Sequence, residues 1–190
     1  MSTKMRRPGG RTARTRDAVL AAVFDVIRES GYDGLSVESV AERSHVHKTT
    51  IYRRWGSISE VLVDAVLEHA ERAIPLERTD DVRADLTAMG RSVAENLENP
   101  VAGALAAAVL GSPGDGELRA VADRFWEIRL LEAGEIIADA RAVSDPGTSI
   151  EPRQIIEMIV GPIWFRVMIL GQPVDDAYIE TLVDNAMSGL

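Results

Sequence analysis

The sequence predicts an all-α chain of about nine helices in two domains. Three observations carry that reading. Apolar residues recur at helical spacing through nearly the whole chain, and no alternating, β-branched run bounded by turn residues marks a strand. Gly and Pro clusters also cut the chain into pieces of helical length, at Gly31, Asn99-Pro100, Gly111-Ser112-Pro113-Gly114, Ser144-Asp145-Pro146-Gly147 and Gly171-Gln172-Pro173.

The elements follow in order. Leu20, Val23, Phe24 and Ile27 stand at i, i+3, i+4 and i+7 and predict a helix from Arg14 to Ser30, stopped by Gly31. Ser36 is placed to cap a short second helix through Val37, Val40 and Ala41. After a break at Ser44-His45, residues 48–55 read as a third. Ser57, with Glu60 three residues on, gives a capping-box pattern for a fourth, which carries Val61, Leu62, Ala65 and Val66 and fades at Ile74-Pro75. Thr79 or Asp80 can cap a fifth helix through Val82, Leu86, Met89, Val93 and Leu97. An Ala-rich helix over Val101–Leu110 and a long one from Glu117 to about Val143 come next. Pro152 opens an apolar helix to Leu170, which Gly161-Pro162 should loosen or kink, and a last helix runs from about Val174 to Met187.

The 190 residues contain 21 Lys and Arg against 30 Asp and Glu, a net charge of −9, and no Cys. Without Cys there is no disulfide framework, thiol nucleophile or Cys-ligated metal centre. The basic start has no apolar stretch behind it, unlike a secretory signal. The apolar run Ile155–Leu170 is interrupted by Glu157, Gly161, Pro162 and Arg166 and is shorter than the ~20 residues that span a bilayer. A soluble, cytoplasmic protein with no membrane partner is expected. Net negative charge argues against a nucleic-acid partner until it is divided along the chain. Residues 1–55 hold 11 basic and six acidic side chains, a net +5, whereas 56–190 hold ten and 24, a net −14. This is the pattern of a polyanion-binding head on an acidic body.

Three short helices with a tight break before the third outline a helix-turn-helix. The recognition helix is His47-Lys48-Thr49-Thr50-Ile51-Tyr52-Arg53-Arg54-Trp55. Ile51 and Trp55, four apart, face the core with Val46, which spreads Lys48, Thr49, Thr50, Tyr52, Arg53 and Arg54 over the other faces. Arg and Lys neutralise phosphate or bond guanine, Thr touches base edges, and Tyr reaches phosphate. The bland reading of each cation is a solvated face; the clustering at one short helix favours double-stranded DNA. His45-x-His47 as a metal pair lacks a third ligand, so no metal or other cofactor is expected.

Gly31-Tyr32, Leu35 through Ala41 and Lys48 through Trp55 together resemble the tetracycline-repressor-like (TetR) family of bacterial transcriptional regulators. The segment Gly161–Val167 through Gly171-Gln172-Pro173 resembles C-terminal domains of one branch of that family. The resemblance implies residues 14–74 as the DNA-binding domain behind a flexible basic arm, 1–13, and residues 75–190 as an effector-binding and dimerisation domain. It implies a homodimer on a pseudo-palindromic operator, released by a small molecule, with Ser36 and His47 joining the recognition-helix residues at DNA. The turn departs from the family's Ala-Gly-Val-Ser, having Ser44-His45-Val46-His47. His45 therefore stands where Gly favours positive φ, and His47 stands where Ser commonly caps the recognition helix.

In the second domain, the helix from Gln154 to Leu170 is apolar nearly all round, so one side is expected to face a partner subunit. Ile156, Ile159, Val160, Ile163, Val167, Ile179, Leu182, Val183 and Ala186 are the expected dimer seam. Met89, Val93, Leu105, Phe125, Trp126, Met158 and Trp164 are candidate pocket linings, though each residue type more often serves as plain core. Arg166, a cation in an apolar helix, could meet an anionic ligand or an acid of the chain. Two other readings compete. A DNA-binding dimer without an effector differs in lacking ligand-dependent release. An α-helical enzyme finds no phosphate loop or nucleophile elbow in the sequence.

Overall fold

A computed structural model describes residues 10–76, 78–99, 102, 103, 105, 116–143 and 151–188. Among the described residues there are eight α-helices and no strand: α1 (Gly10–Ser30), α2 (Val37–Ser44), α3 (Lys48–Trp55), α4 (Ile58–Ala73), α5 (Val82–Glu98), α6 (Gly116–Val143), α7 (Pro152–Trp164) and α8 (Asp176–Met187). The ninth expected helix, Val101–Leu110, lies mostly outside the described residues; Ala102, Gly103 and Leu105 are helical. The chain divides into two compact units between Ala65 and Val66, inside α4.

The first unit packs α1 on α2 and α2 on α3, and it buries Val19, Leu20, Ala22, Val23, Val26 and Ile27 of α1, Val37 and Val40 of α2, Ile51 of α3 and Val61, Leu62 and Ala65 of α4. α1 starts at Gly10, four residues before the expected Arg14, so residues 10–13 are helix and not part of a flexible arm. Residues 10–13 contain no large apolar side chain, which is why periodicity could not find this turn. Ser36 caps α2: its Oγ accepts the Ser39 N–H at 3.1 Å while the Ser39 Oγ accepts the Ser36 N–H at 3.0 Å. The Ser57 Oγ likewise accepts the Glu60 N–H at the start of α4.

The second unit packs α5, α6, α7 and α8 around a core of Leu86, Met89, Leu97, Ile137, Ile155, Ile159, Ile163, Ile179 and Val183. Asp81, and not Thr79 or Asp80, caps α5, accepting the Ala84 N–H at 3.0 Å. Thr79 is used differently, donating from N and Oγ1 to the buried Asp85 at 2.8 Å each. Such pairing offsets the cost of burying that carboxylate. Gly90 lets α5 approach α8: a Cβ there would stand 2.9 Å from the Ile179 Cγ2. α7 opens on Pro152 and runs through Pro162, which has no N–H to give. It passes into a π-helical turn, Phe165–Ile169, before Gly171 ends it at φ 62°.

The residues of the expected dimer seam are already packed within a single chain. Ile156, Ile159, Val160, Ile163, Ile179, Val183 and Ala186 are at most 8% exposed within a single chain, and Val167 and Leu182 are half-buried against the same core. These residues are the faces by which α7 and α8 cover α5, so they have little surface left for a second subunit. Among the described residues of this unit, the large apolar side chains left exposed are Leu131 of α6, at 69%, and Met158, Phe165, Ile169 and Leu170, between 41% and 61%.

Candidate nucleic-acid interface

Helix α3 is short and polar, with Ile51 as its single fully buried side chain. That anchor, worth about 1.5–3 kcal/mol of apolar burial, fixes which way the rest of the helix faces. Lys48 and Tyr52, and Thr49 and Arg53, form two adjacent i, i+4 rows, all four exposed. Thr50 is half-buried, and its N–H donates to the His47 carbonyl at 2.8 Å. Tyr52 and Arg53 have no hydrogen-bond or ionic partner among the described residues, and Lys48 has only a 3.8 Å approach to Glu38 across the turn. A cationic, hydroxyl-bearing face is thus held out with its donors unspent.

Arg54 is placed differently. Its guanidinium lies 4.9 Å over the Trp55 ring and Nη1 donates to the Thr12 carbonyl in α1 at 3.3 Å. Ser36, spent on the α2 cap, is half-buried. In the turn, His45 takes φ 55°, ψ 28°, the left-handed conformation that disfavours a Cβ. His47 sits at the cap position of α3 with no side-chain hydrogen bond to the helix, so the first-turn N–H groups beside Lys48–Thr50 are not covered by it.

Behind α3 lies a polar node that the sequence did not reveal. Asp64 of α4 accepts the Trp55 Nε1–H at 2.8 Å and the Arg16 Nε–H at 3.1 Å, with a second bond from Arg16 Nη2. Burial pushes the Asp64 carboxyl up, but the bonds from Arg16 and Trp55 and the charges of Arg16 and Arg54 outweigh it, leaving the group below its ordinary value. Ionised, it joins α1, α3 and α4 at one point. The partners are nine and 48 residues away in sequence, beyond any local pattern.

The second unit contains a cavity of about 60 Å³. Met89, Val93, Phe125, Trp126 and Trp164 of the expected linings are on its wall; Leu105, Met158 and Arg166 are not. Arg166 instead donates from Nε to the Pro173 carbonyl at 2.9 Å and stacks 4.5 Å from the Tyr178 ring, a role in closing the turn before α8. The cation on the wall is Arg129, which is buried. A helical wheel carries the signal that was missed, because Arg129 falls on the face of Trp126, Leu130, Ala133 and Ile137. Among the described residues no cluster of three or more His, Cys, Asp or Glu could hold a metal ion, and no helix is long and apolar enough to cross a membrane.

Comparison with known proteins bears on both units. Residues 19–65 match the family described as "Bacterial regulatory proteins, tetR family", and residues 76–186 match "Tetracyclin repressor-like, C-terminal domain". The HTH-type transcriptional regulator YdeS of Bacillus subtilis is 29% identical over the whole of this chain and 96% of its own length. The DNA-binding transcriptional repressor TetR of Mycobacteroides abscessus is 31% identical, with 91% of this chain and 92% of its own covered. The crystal structure of the TetR family transcription regulator SCO0332 superimposes with a TM-score of 0.76 at 28% identity, over 93% of this chain and 98% of that one. The multidrug binding protein EbrR, solved with proflavin, shares the fold at TM-score 0.57 and 22% identity, over 90% of this chain and 99% of that one. Matched in both its units, this chain is a helix-turn-helix transcriptional regulator and belongs to the tetR family.

Proposed function

We propose that the chain acts in the cytoplasm as a homodimeric repressor whose two α3 helices read the half-sites of a pseudo-palindromic operator, and that a small molecule held in the second unit releases it. The observation that carries the DNA reading is the outer face of α3, where Lys48, Thr49, Tyr52 and Arg53 are exposed on a helix anchored by Ile51. Its polar groups suit phosphate and base edges. Selecting bound sequences from a random duplex pool tests it. A palindrome with half-sites roughly 34–36 Å apart, or somewhat more, is expected. Affinity should fall steeply with salt as counterions are released; a flat salt response would refute the reading.

The dimer is assigned to the outer face of α7 and its π turn. Met158, Phe165 and Ile169 follow one another at intervals of seven and four residues and stand exposed to water. Such exposure on a small chain favours burial against a second copy. The effector is assigned to the cavity beneath Trp126 and Trp164. It releases DNA only if it binds more tightly to the conformation that does not fit the operator.

A further inference from the structure

We propose that the cavity of the second unit takes an aromatic carboxylate, its ring against Trp126 and Trp164 and its carboxylate on Arg129. The proposal rests on the effector reading above and narrows it to one ligand class. Arg129 is 8% exposed and lines the cavity. A guanidinium has five N–H donors. Nη1 gives one to the Glu132 Oε2 at 3.0 Å and Nη2 gives one to the Ile74 carbonyl at 2.7 Å. The remaining three have no partner among the described residues. Asn96, the other polar side chain on the wall, has Oδ1 2.8 Å from the His69 Nε2. A carbonyl oxygen only accepts, so that contact uses the ring N–H and leaves the Asn96 amide hydrogens unspent. Both polar groups therefore offer donors, and among the described residues no carboxylate stands on the wall for a cation.

The apolar part selects a flat ring. Phe125 and Trp126 meet edge to face at 5.1 Å and 76°, and Trp126 and Trp164 at 5.4 Å and 66°. At about 60 Å³ the cavity is smaller than the roughly 150 Å³ that holds a benzene in an apolar core. A single ring thus enters by parting Trp126 from Trp164, and the two indoles report its arrival. A carboxylate brought into this site must be paired, and a guanidinium with spare donors is its best partner. Arg129 also caps the C-terminal end of α4 through the Ile74 carbonyl.

The test titrates the full chain with benzoate, benzamide and benzylamine, three guests with one ring and different charge, following tryptophan emission. Benzoate should bind about tenfold tighter than benzamide and benzylamine more weakly than either. Arg129→Met should bring benzoate down to the benzamide affinity, and Arg129→Lys should keep part of the preference, with far-UV circular dichroism verifying the fold of each. Equal affinities, a preference for benzylamine, silence toward all three, or a preference unchanged in Arg129→Lys and Arg129→Met would overturn the proposal. Operator binding is assayed separately. Failure to bind any DNA removes the regulator reading, while the emission titration still decides the ligand class. DNA released by benzylamine or benzamide but not by benzoate leaves the regulator standing and removes the aromatic acid.

Discussion

Helices α3 and α7 use their surfaces in opposite ways. α3 hides one side chain completely and holds Lys48, Thr49, Tyr52 and Arg53 in water, so the groups that can recognise a ligand are not those that hold the fold. α7 hides Ile155, Ile156, Ile159, Val160 and Ile163, while Trp164, next in sequence, lines the cavity. In the body, the wall of the cavity is made of the same kind of residue as the core, and of several of the same residues. Substitutions in the head should separate binding from folding. Those in the body should separate them only on its outer face.

The largest effect is expected there. Phe165→Glu places a charge among these exposed apolar side chains without touching the core, since Phe165 is 54% exposed. The chain should become monomeric by light scattering, and operator affinity should fall by about a hundredfold or more as the linked second half-site is lost. A dimer that persists would move the seam elsewhere. Arg53→Ala comes next. Losing one base or phosphate contact should weaken operator binding by about 1–3 kcal/mol, with the thermal midpoint unchanged because Arg53 supports nothing in the head. A shifted midpoint would mean that α3 is not the independent reading surface described.

The same contrast explains what could be read from the sequence. The head was legible in detail: Ser36 as cap and Ile51 facing inward follow from residue types at short spacing, and the strain at His45 follows from the resemblance, whose turn has Gly at that position. Its Asp64 node was not, because Arg16 and Trp55 reach that carboxylate across the fold. The body gave up its helices but not its faces. Periodicity finds an apolar stripe, yet the stripe Ile156–Ile159–Ile163 looks alike whether it covers α5 or a second subunit. Arg166 drew attention as a cation in an apolar run, while Arg129, in a more mixed helix, holds the buried position.

Gly90→Ala probes the body's interior. Overpacking costs about 1–3 kcal/mol, and the added Cβ would meet the Ile179 Cγ2 at 2.9 Å, a branched methyl with little room to turn. Replacing a mid-helix Gly by Ala returns about 0.8–1 kcal/mol of propensity, so the net loss should be about 1–2 kcal/mol at most, read from the urea midpoint. A gain would mean that α5 and α8 have room to move apart, and that the body packs less tightly than Ile179, at 1% exposed, suggests.

The smallest effect has the opposite sign and divides two neighbouring histidines. His45 pays the left-handed penalty at φ 55°, about 1–2 kcal/mol for a residue with a Cβ, while Gly in its place costs about 0.5–1 kcal/mol in chain entropy. His45→Gly should therefore stabilise the head by about 0.5–1 kcal/mol and leave operator affinity alone, since the turn conformation is unchanged. His47→Ser supplies the side-chain cap that α3 lacks, worth about 1 kcal/mol, but it alters the edge of the reading face and should change which operator is preferred. Denaturation midpoints and binding profiles measured together separate the two. If His45→Gly changed sequence preference and His47→Ser did not, the boundary between the scaffold and the reading surface would run on the other side of α3's first turn.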